Sequence, residues 1–168
     1  RDLKSLLPYQ LQQGEVPPLE EQEKQRITDL YDGEVAYFDR AVGDLFEGLQ
    51  SRGLDDETVV VLTADHGESF GEMNRWFEHG FSTMPQLAHV PLILNFQNRL
   101  PAGVRMTGLV ELVDILPTIL GLVGITVPGP IFEGRDLASS LTTGSDPPTE
   151  QLAMSELVQN GFSAVSLE

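Results

Sequence analysis

The longest amphipathic pattern in the chain predicts a helix from about Leu19 to Gln50. Apolar residues recur there at spacings of three and four, which is the period of one helix face. The apolar positions are Ile27, Leu30, Tyr31, Val35, Phe38, Val42, Leu45, Phe46 and Leu49. Acidic residues at positions 20, 21 and 23 suit the N-terminal end of the helix dipole, and Gly53 is a suitable stop signal.

A run of apolar and β-branched residues follows this helix and predicts a strand from Thr58 to Ala64. A run of this kind is typical of a strand that is buried on both faces. Similar runs predict a second buried strand from Val90 to Phe96 and a third strand from Arg105 to Leu112. Because a helix that leads into a fully apolar strand is half of a βαβ unit, the pattern predicts an α/β fold.

The remaining residues predict short elements separated by loops. Asp114 is expected to cap a helix from Ile115 to Leu122, which Gly124 would end. The other expected segments are a loop-like lead-in at 1–19, a loop at 67–84, helical residues at 136–141, a linker-like stretch at 142–150 and a strand at 151–156. No internal repeat is visible, so residues 1–168 are interpreted as a single domain.

The charge of the chain limits its possible partners. There are 26 acidic residues against 10 basic ones, a net charge of −16, which argues against binding to nucleic acid or to an anionic membrane. An anionic substrate would need a bound cation to reverse the local field. The chain has no cysteine and therefore no disulfide or thiol chemistry. No apolar run of the ~18 residues that a membrane span needs is present, and no leader is visible, which leaves the compartment open.

Candidate chemistry begins at the end of the first predicted strand, where Asp65 and His66 stand before Gly67. The carboxyl end of a strand is where open α/β sheets bind their ligands. A carboxylate and an imidazole suit a divalent metal ion, and Gly67 permits the backbone turn that would let both bind one ion. The alternative is that Asp65 caps the next helix and that His66 is an ordinary surface histidine.

Two further histidines follow in the chain. His79 is either a neutral surface residue or a group that donates to an anionic oxygen, protonates a leaving group or binds a second ion. His89 is interpreted as structural or rim-lining, with substrate contact as the alternative. Glu68, Glu72 and Glu78 are interpreted as solvated loop charges or local hydrogen-bond acceptors.

Several motifs occur together in one order along the chain. They are Tyr31 to Gly43, Thr58 to Glu68, Glu78-His79-Gly80, His89 to Ile93, Val113 to Leu120 and Gly134 to Leu137. In this order they resemble the later part of a sulfatase of the alkaline phosphatase superfamily. The resemblance implies a partial alkaline-phosphatase-like sandwich, an α/β fold with a mixed, mostly parallel sheet flanked by helices.

The same resemblance implies roles for the candidate residues. Asp65 and His66 would be two ligands of a divalent ion, which is Ca²⁺ in most sulfatases and Mn²⁺, Mg²⁺ or Zn²⁺ in related enzymes. His79 would be a catalytic residue that contacts the transferred group, and His89 would join it in binding the substrate, a sulfate ester. Members of the family are often periplasmic, secreted or lysosomal, so the resemblance leaves the localisation unknown.

One departure from the family pattern changes this interpretation. Sulfatases carry a Cys/Ser-x-Pro-x-Arg motif whose first residue matures to the formylglycine nucleophile, and this chain has no such motif. We therefore expect a C-terminal part of an enzyme with half of a metal site, inactive by itself and able to self-associate through exposed apolar strands. The alternatives are a phosphodiesterase or phosphoethanolamine transferase of the same superfamily, and a non-catalytic module for binding or assembly.

Overall fold

The computed structural model describes residues 19–77, 79–80, 82–129, 131–148, 153–157 and 161–165. Its regular elements, in chain order, are helix α1 (Glu21–Gln50), strand β1 (Val60–Thr63), helix α2 (Pro85–Ala88), strand β2 (Leu92–Asn95), helix α3 (Ile115–Val123), helix α4 (Ala138–Thr143), strand β3 (Ala153–Leu157) and strand β4 (Gly161–Val165). The predicted lead-in, except for Leu19, lies outside the described residues, as do residues 149–150 of the predicted linker.

Helix α1 confirms the prediction from the apolar period. It begins two residues later than predicted, at a capping box in which the Glu20 amide donates to the Glu23 carboxylate (3.0 Å). Near its start, Ile27 is buried against Leu19 and Trp76. Further along, the apolar stripe is uncovered in the described part of the chain. Its members Val35, Phe38 and Leu45 are 52%, 56% and 53% exposed.

Strands β1 and β2 form an antiparallel pair in which Val60 lies opposite Asn95 and Thr63 lies opposite Leu92. Both are shorter than predicted. The expectation that β1 is buried on both faces is wrong, because its residues are half-buried or exposed. Within the described ranges β1 has one neighbouring strand and no helix in close contact, and a strand is buried only when other elements cover it.

The third predicted strand, from Arg105 to Leu112, is also wrong. Residues 105–111 follow an irregular path, and two of their amides are bound by one distant side chain instead of a neighbouring strand. The Asp146 carboxylate accepts the amides of Thr107 (2.6 Å) and Gly108 (3.1 Å). Pro147 lies so close to Gly108 that an added Cβ would come within 2.7 Å of the proline ring. Asp146, 38 positions after Gly108, thus satisfies amide donors that a sheet would otherwise use.

Helix α3 is confirmed to within one residue, and Gly124, with φ of 76°, ends it in the left-handed conformation. Asp114 stands at the predicted cap position, but its carboxylate does not bond the first turn of α3. It is buried and accepts the amide of Arg135 (2.7 Å), the Arg135 Nη2 (3.1 Å) and the amide of Glu111 (3.1 Å). Its role is to join two loops.

The last elements agree in part with the sequence pattern. Helix α4 lies two residues later than predicted, so it includes the first two residues of the predicted linker. Strand β3 matches the predicted final strand, whereas β4 was not predicted. Strands β3 and β4 pair antiparallel, as β1 and β2 do. The described strands thus form two separate antiparallel pairs, and the parallel pairs that the resemblance implies are not among them. Over the described ranges, no helix has both the length and the apolar content that a bilayer crossing requires.

Candidate functional site

The turn after β1 is held against helix α2. The amide of Gly67 donates to the carbonyl oxygen of Leu87 (2.8 Å). A Cβ at position 67 would come within 1.9 Å of the Gln86 carbonyl oxygen, so no side chain fits there. The sequence suggested Gly67 for its backbone freedom, but the structure uses it for this close approach. The segment that carries Asp65 and His66 is thereby locked to α2.

Asp65 and His66 lie together at this turn. Asp65 Oδ1 accepts the amide of His66 (3.0 Å), and Asp65 Oδ2 is 3.7 Å from His66 Nε2. The other ring nitrogen, His66 Nδ1, is 2.7 Å from the carbonyl oxygen of Gly67. Because a carbonyl can only accept, Nδ1 carries the proton and Nε2 of the neutral ring carries a free lone pair. A carboxylate oxygen and an unprotonated nitrogen thus stand side by side, both open to solvent.

This arrangement fits two ligands of one cation. Ligand atoms that lie about 2.0–2.5 Å from an ion are separated from each other by roughly 3–4 Å. A metal-bound histidine that donates its second nitrogen to a backbone carbonyl is also a common arrangement. The described residues contain no group of three or more His, Asp or Glu side chains that could hold a metal ion. As ligands, these two residues would supply half of a four-coordinate metal site.

His79 joins the same cluster. Its ring is stacked on that of His66, with centroids 4.0 Å apart and planes 24° apart. Its Nδ1 is 3.3 Å from Glu68 Oε2, and Glu68 Oε1 accepts the amide of Ser69 (3.2 Å). Glu68, interpreted from the sequence as a loop charge or local acceptor, is here the partner of a histidine 11 residues away. No sequence signal distinguishes it from Glu72, and Glu78 lies outside the described residues.

A tight loop at 69–77 brings His79 back to His66. Ser69 is fully buried, and its hydroxyl donates to the Arg75 carbonyl oxygen (2.8 Å). The Phe77 amide donates to the Ser69 carbonyl oxygen (2.8 Å), which closes the loop. Hydrogen bonds from the backbone amides of Glu72 itself and of Phe70 hold the pKa of Glu72 below its ordinary value. The loop is thus held together by hydrogen bonds between its own residues.

The same loop is anchored on helix α1 by aromatic residues. Trp76 is buried with Ile27, and Phe70 and Phe77 pack against them. The ring of Tyr31 meets that of Phe70 edge-on, with centroids 4.7 Å apart. The first turns of α1 therefore determine where the loop stands, and through the loop where His79 stands.

His89 is the remaining candidate residue. It is exposed and follows the last residue of α2, where its amide donates to the Pro85 carbonyl oxygen (2.8 Å). Its side chain makes no hydrogen bond or ion pair with Asp65, His66 or His79 in the described structure. Three of the four candidate residues are therefore brought together, and no side-chain bond joins His89 to them in the described ranges.

Comparison with known proteins shows which family this chain resembles. The model of the family described as Sulfatase matches residues 8–125. The chain is 32% identical over 129 residues to arylsulfatase K of Xenopus laevis, covering 77% of this chain and 23% of that protein. It is also 32% identical over 134 residues to the multifunctional alkaline phosphatase superfamily protein PehA of Trinickia caryophylli, covering 79% of this chain and 25% of that protein.

A solved structure supports the same conclusion. The structure of BT4656 in complex with its substrate D-glucosamine-2-N,6-O-disulfate matches with a TM-score of 0.63 and 29% identity, over 71% of this chain and 24% of that one. The alkaline-phosphatase-like fold predicted from the motifs is thus confirmed. The chain spans about a quarter of the length of the curated relatives that it matches. Since the family match extends over more than half of its residues, the chain belongs to the sulfatase family, within the alkaline phosphatase superfamily.

Proposed function

We propose that this chain carries half of the metal site of a sulfatase, an enzyme that hydrolyses sulfuric esters. The observation behind the proposal is the 3.7 Å separation of Asp65 Oδ2 and His66 Nε2, with the proton of His66 placed on the opposite nitrogen. These two atoms would bind one divalent cation. Ca²⁺ is the first candidate, and Mn²⁺, Mg²⁺ and Zn²⁺ are alternatives. Residues 1–168 would all belong to one catalytic domain.

The bound cation would neutralise the anionic oxygens of a sulfate ester, which the net charge of −16 otherwise repels. His79 would act beside it as a catalytic residue, contacting the sulfuryl oxygens or protonating the leaving oxygen. His89, on the exposed rim after α2, would bind the substrate further out. Family resemblance supplies these two roles, and the stacking of His79 on His66 supports the first.

We infer that turnover needs polypeptide that this sequence does not include. The sequence has no Cys/Ser-x-Pro-x-Arg motif to provide a formylglycine nucleophile. Two protein ligands leave most of the coordination shell of an ion to water. In the described structure the apolar stripe of α1 is uncovered as well. Alone, the chain would bind cations weakly, self-associate through this stripe, and leave aryl sulfates intact.

Calorimetric titration with Ca²⁺ and with Mn²⁺ tests the metal assignment. Wild-type chain should bind one ion weakly, and Asp65→Ala and His66→Ala should each weaken binding at least tenfold. Asp44→Ala, which removes an exposed carboxylate from α1, serves as the matched control and should bind as the wild type does. Equal binding by Asp65→Ala and wild type would contradict the ligand assignment. Metal-dependent hydrolysis of an aryl sulfate by the wild-type chain would contradict the inferred need for more polypeptide.

The second candidate is a phosphodiesterase or phosphoethanolamine transferase of the same superfamily. The similarity to PehA, whose name describes it as a multifunctional member of that superfamily, is compatible with this candidate. Parallel assays with sulfate monoesters and phosphate diesters, on a longer protein that contains this chain, would separate the two activities. A non-catalytic module for binding or assembly is the third candidate, which the missing nucleophile motif favours. Such a module would show neither activity even when that longer protein binds the cation.

A further inference from the structure

We propose that Glu68 and His79 form a carboxylate–imidazole dyad, in which Glu68 holds the ring proton at Nδ1 and leaves Nε2 as the atom that exchanges protons. Glu68 is then a positioning residue that acts through His79. This inference rests on the proposed function and deepens it, because it names the group that decides how His79 takes part.

The placement of the proton follows from the contact between the two side chains. Glu68 Oε2 lies 3.3 Å from His79 Nδ1. An ionised carboxylate accepts hydrogen bonds and cannot donate them. The contact is therefore a hydrogen bond only when Nδ1 carries the proton. In the neutral ring this leaves the lone pair on Nε2, and in the cationic ring it leaves the exchangeable proton there.

The carboxylate is fixed in place by the backbone. Its second oxygen accepts the amide of Ser69 (3.2 Å), and only 20% of the Glu68 side chain is exposed. Ser69 itself is fully buried and is held by the carbonyl oxygen of Arg75. Glu68 therefore has few alternative orientations, whereas a solvated loop carboxylate would have many.

The imidazole is fixed from its face. The ring of His66 lies 4.0 Å away at an interplanar angle of 24°, which restricts rotation of the His79 side chain. His66 has the same proton arrangement, because its Nδ1 donates to the Gly67 carbonyl oxygen. The two stacked rings thus each have a committed Nδ1 and an available Nε2. Nε2 of His66 is suited to binding a cation, and Nε2 of His79 is suited to transferring a proton.

His79 would act as the acid when the S–O bond of a sulfate ester breaks. The oxygen of a hydroxyl nucleophile bonds to sulfur while its proton passes to solvent water, and the electron pair of the broken S–O bond stays with the leaving oxygen. Cationic His79 gives its Nε2 proton to that oxygen and becomes neutral. Its Nδ1 keeps its proton, which stays hydrogen-bonded to Glu68. The neutral ring can then take a proton from water at Nε2 in the next half of the cycle. Throughout, the carboxylate of Glu68 accepts the Nδ1 proton and so orients the ring.

The test is nitrogen NMR of the ring tautomer in the isotopically labelled chain without metal. At a pH of about 8.5 an ordinary imidazole is neutral, so the protonated nitrogen can be identified from long-range couplings. In wild type we expect one tautomer of His79, with the proton on Nδ1. Glu68→Ala should lose this preference and populate the Nε2–H form. Glu68→Gln should retain it, because the amide oxygen still accepts. Glu57→Ala, outside the cluster, is the matched control and should leave the spectrum unchanged.

Two results would overturn the dyad: a wild-type His79 that carries its proton on Nε2, or a Glu68→Ala spectrum that matches the wild type. Either result would leave the metal assignment standing if Asp65→Ala still abolished cation binding. Conversely, a correct tautomer with no effect of Asp65→Ala on cation binding would remove the proposed metal site and keep the dyad. The two proposals thus fail separately.

Discussion

The imidazole ring of His79 lies over that of His66, although 13 residues separate them in the chain. The connection between them is a loop that the hydroxyl of Ser69 braces and that Trp76 anchors on α1. His66, the metal-ligand candidate, and His79, the proton-transfer candidate, are therefore joined by one loop that hydrogen bonds and packing hold in place. Changes in this loop should affect both functions together.

Gly67 should be intolerant of any side chain. The Cβ of Gly67→Ala would stand 1.9 Å from the Gln86 carbonyl oxygen, so backbone atoms would have to move. We expect a loss of about 1–3 kcal/mol in the free energy of unfolding, measured by urea denaturation. Cation binding should weaken as well, because the turn that carries Asp65 and His66 would shift.

The control for this prediction is Gly33→Ala in helix α1. Apart from its chain neighbours and the nearby backbone of α1 itself, nothing lies within 4 Å of the position that the new Cβ would take. Because alanine favours a helix over glycine, this variant should be more stable by about 0.5–1 kcal/mol. A Gly67→Ala variant as stable as the wild type would show that α2 can move away from the turn at little cost.

Asp146 should contribute stability that depends on pH. The amide of Thr107, the hydroxyl of Thr107 and the amide of Gly108 all donate to its carboxylate and lower its pKa from the ordinary value of 3.8. Since the folded pKa is the lower one, the contribution is fully present above the unfolded value and is lost as the pH falls through the folded value. Asp146→Asn should therefore have a lower urea midpoint than wild type near neutral pH.

The difference between the two midpoints should shrink as the pH falls below about 4. Asp44→Asn is the matched control, because this exposed carboxylate on α1 makes no hydrogen bond to another described residue, and its midpoint should follow the wild type throughout. A difference between Asp146→Asn and wild type that is the same at every pH would mean that the charge of Asp146 does not matter.

The uncovered stripe of α1 should drive self-association of the isolated chain. Phe38 lies in the middle of this stripe and is 56% exposed. Phe38→Asp should shift the chain to monomer at concentrations where wild type associates, as measured by sedimentation velocity. Tyr37→Asp is the matched control: it adds the same charge at a site that is 73% exposed and lies about 100° around the helix. A wild-type chain that is monomeric at all concentrations, or equal behaviour of the two variants, would contradict this prediction.

The sequence by itself determined those features that depend on near neighbours in the chain. Helix α1 follows from an apolar period, and the end of α3 at Gly124 follows from the left-handed backbone that glycine adopts readily. The neighbourhood of Asp65 and His66 was predictable for the same reason, since the two residues are adjacent and close an apolar strand. The family motifs then supplied the fold class, because their order identifies it.

Tertiary structure alone decided the features that rest on distant residues. The half-exposure of β1 and its antiparallel pairing depend on which elements lie beside it, and a strand sequence does not specify them. Asp146 accepts the amides of Thr107 and Gly108 within the irregular segment 105–111, and Asp114 bonds Arg135 instead of capping α3. Glu68 became a candidate only when the loop brought His79 to it. Backbone preferences are local and can be read along the chain, whereas the partner of a carboxylate is whichever donor the folded chain brings within about 3 Å.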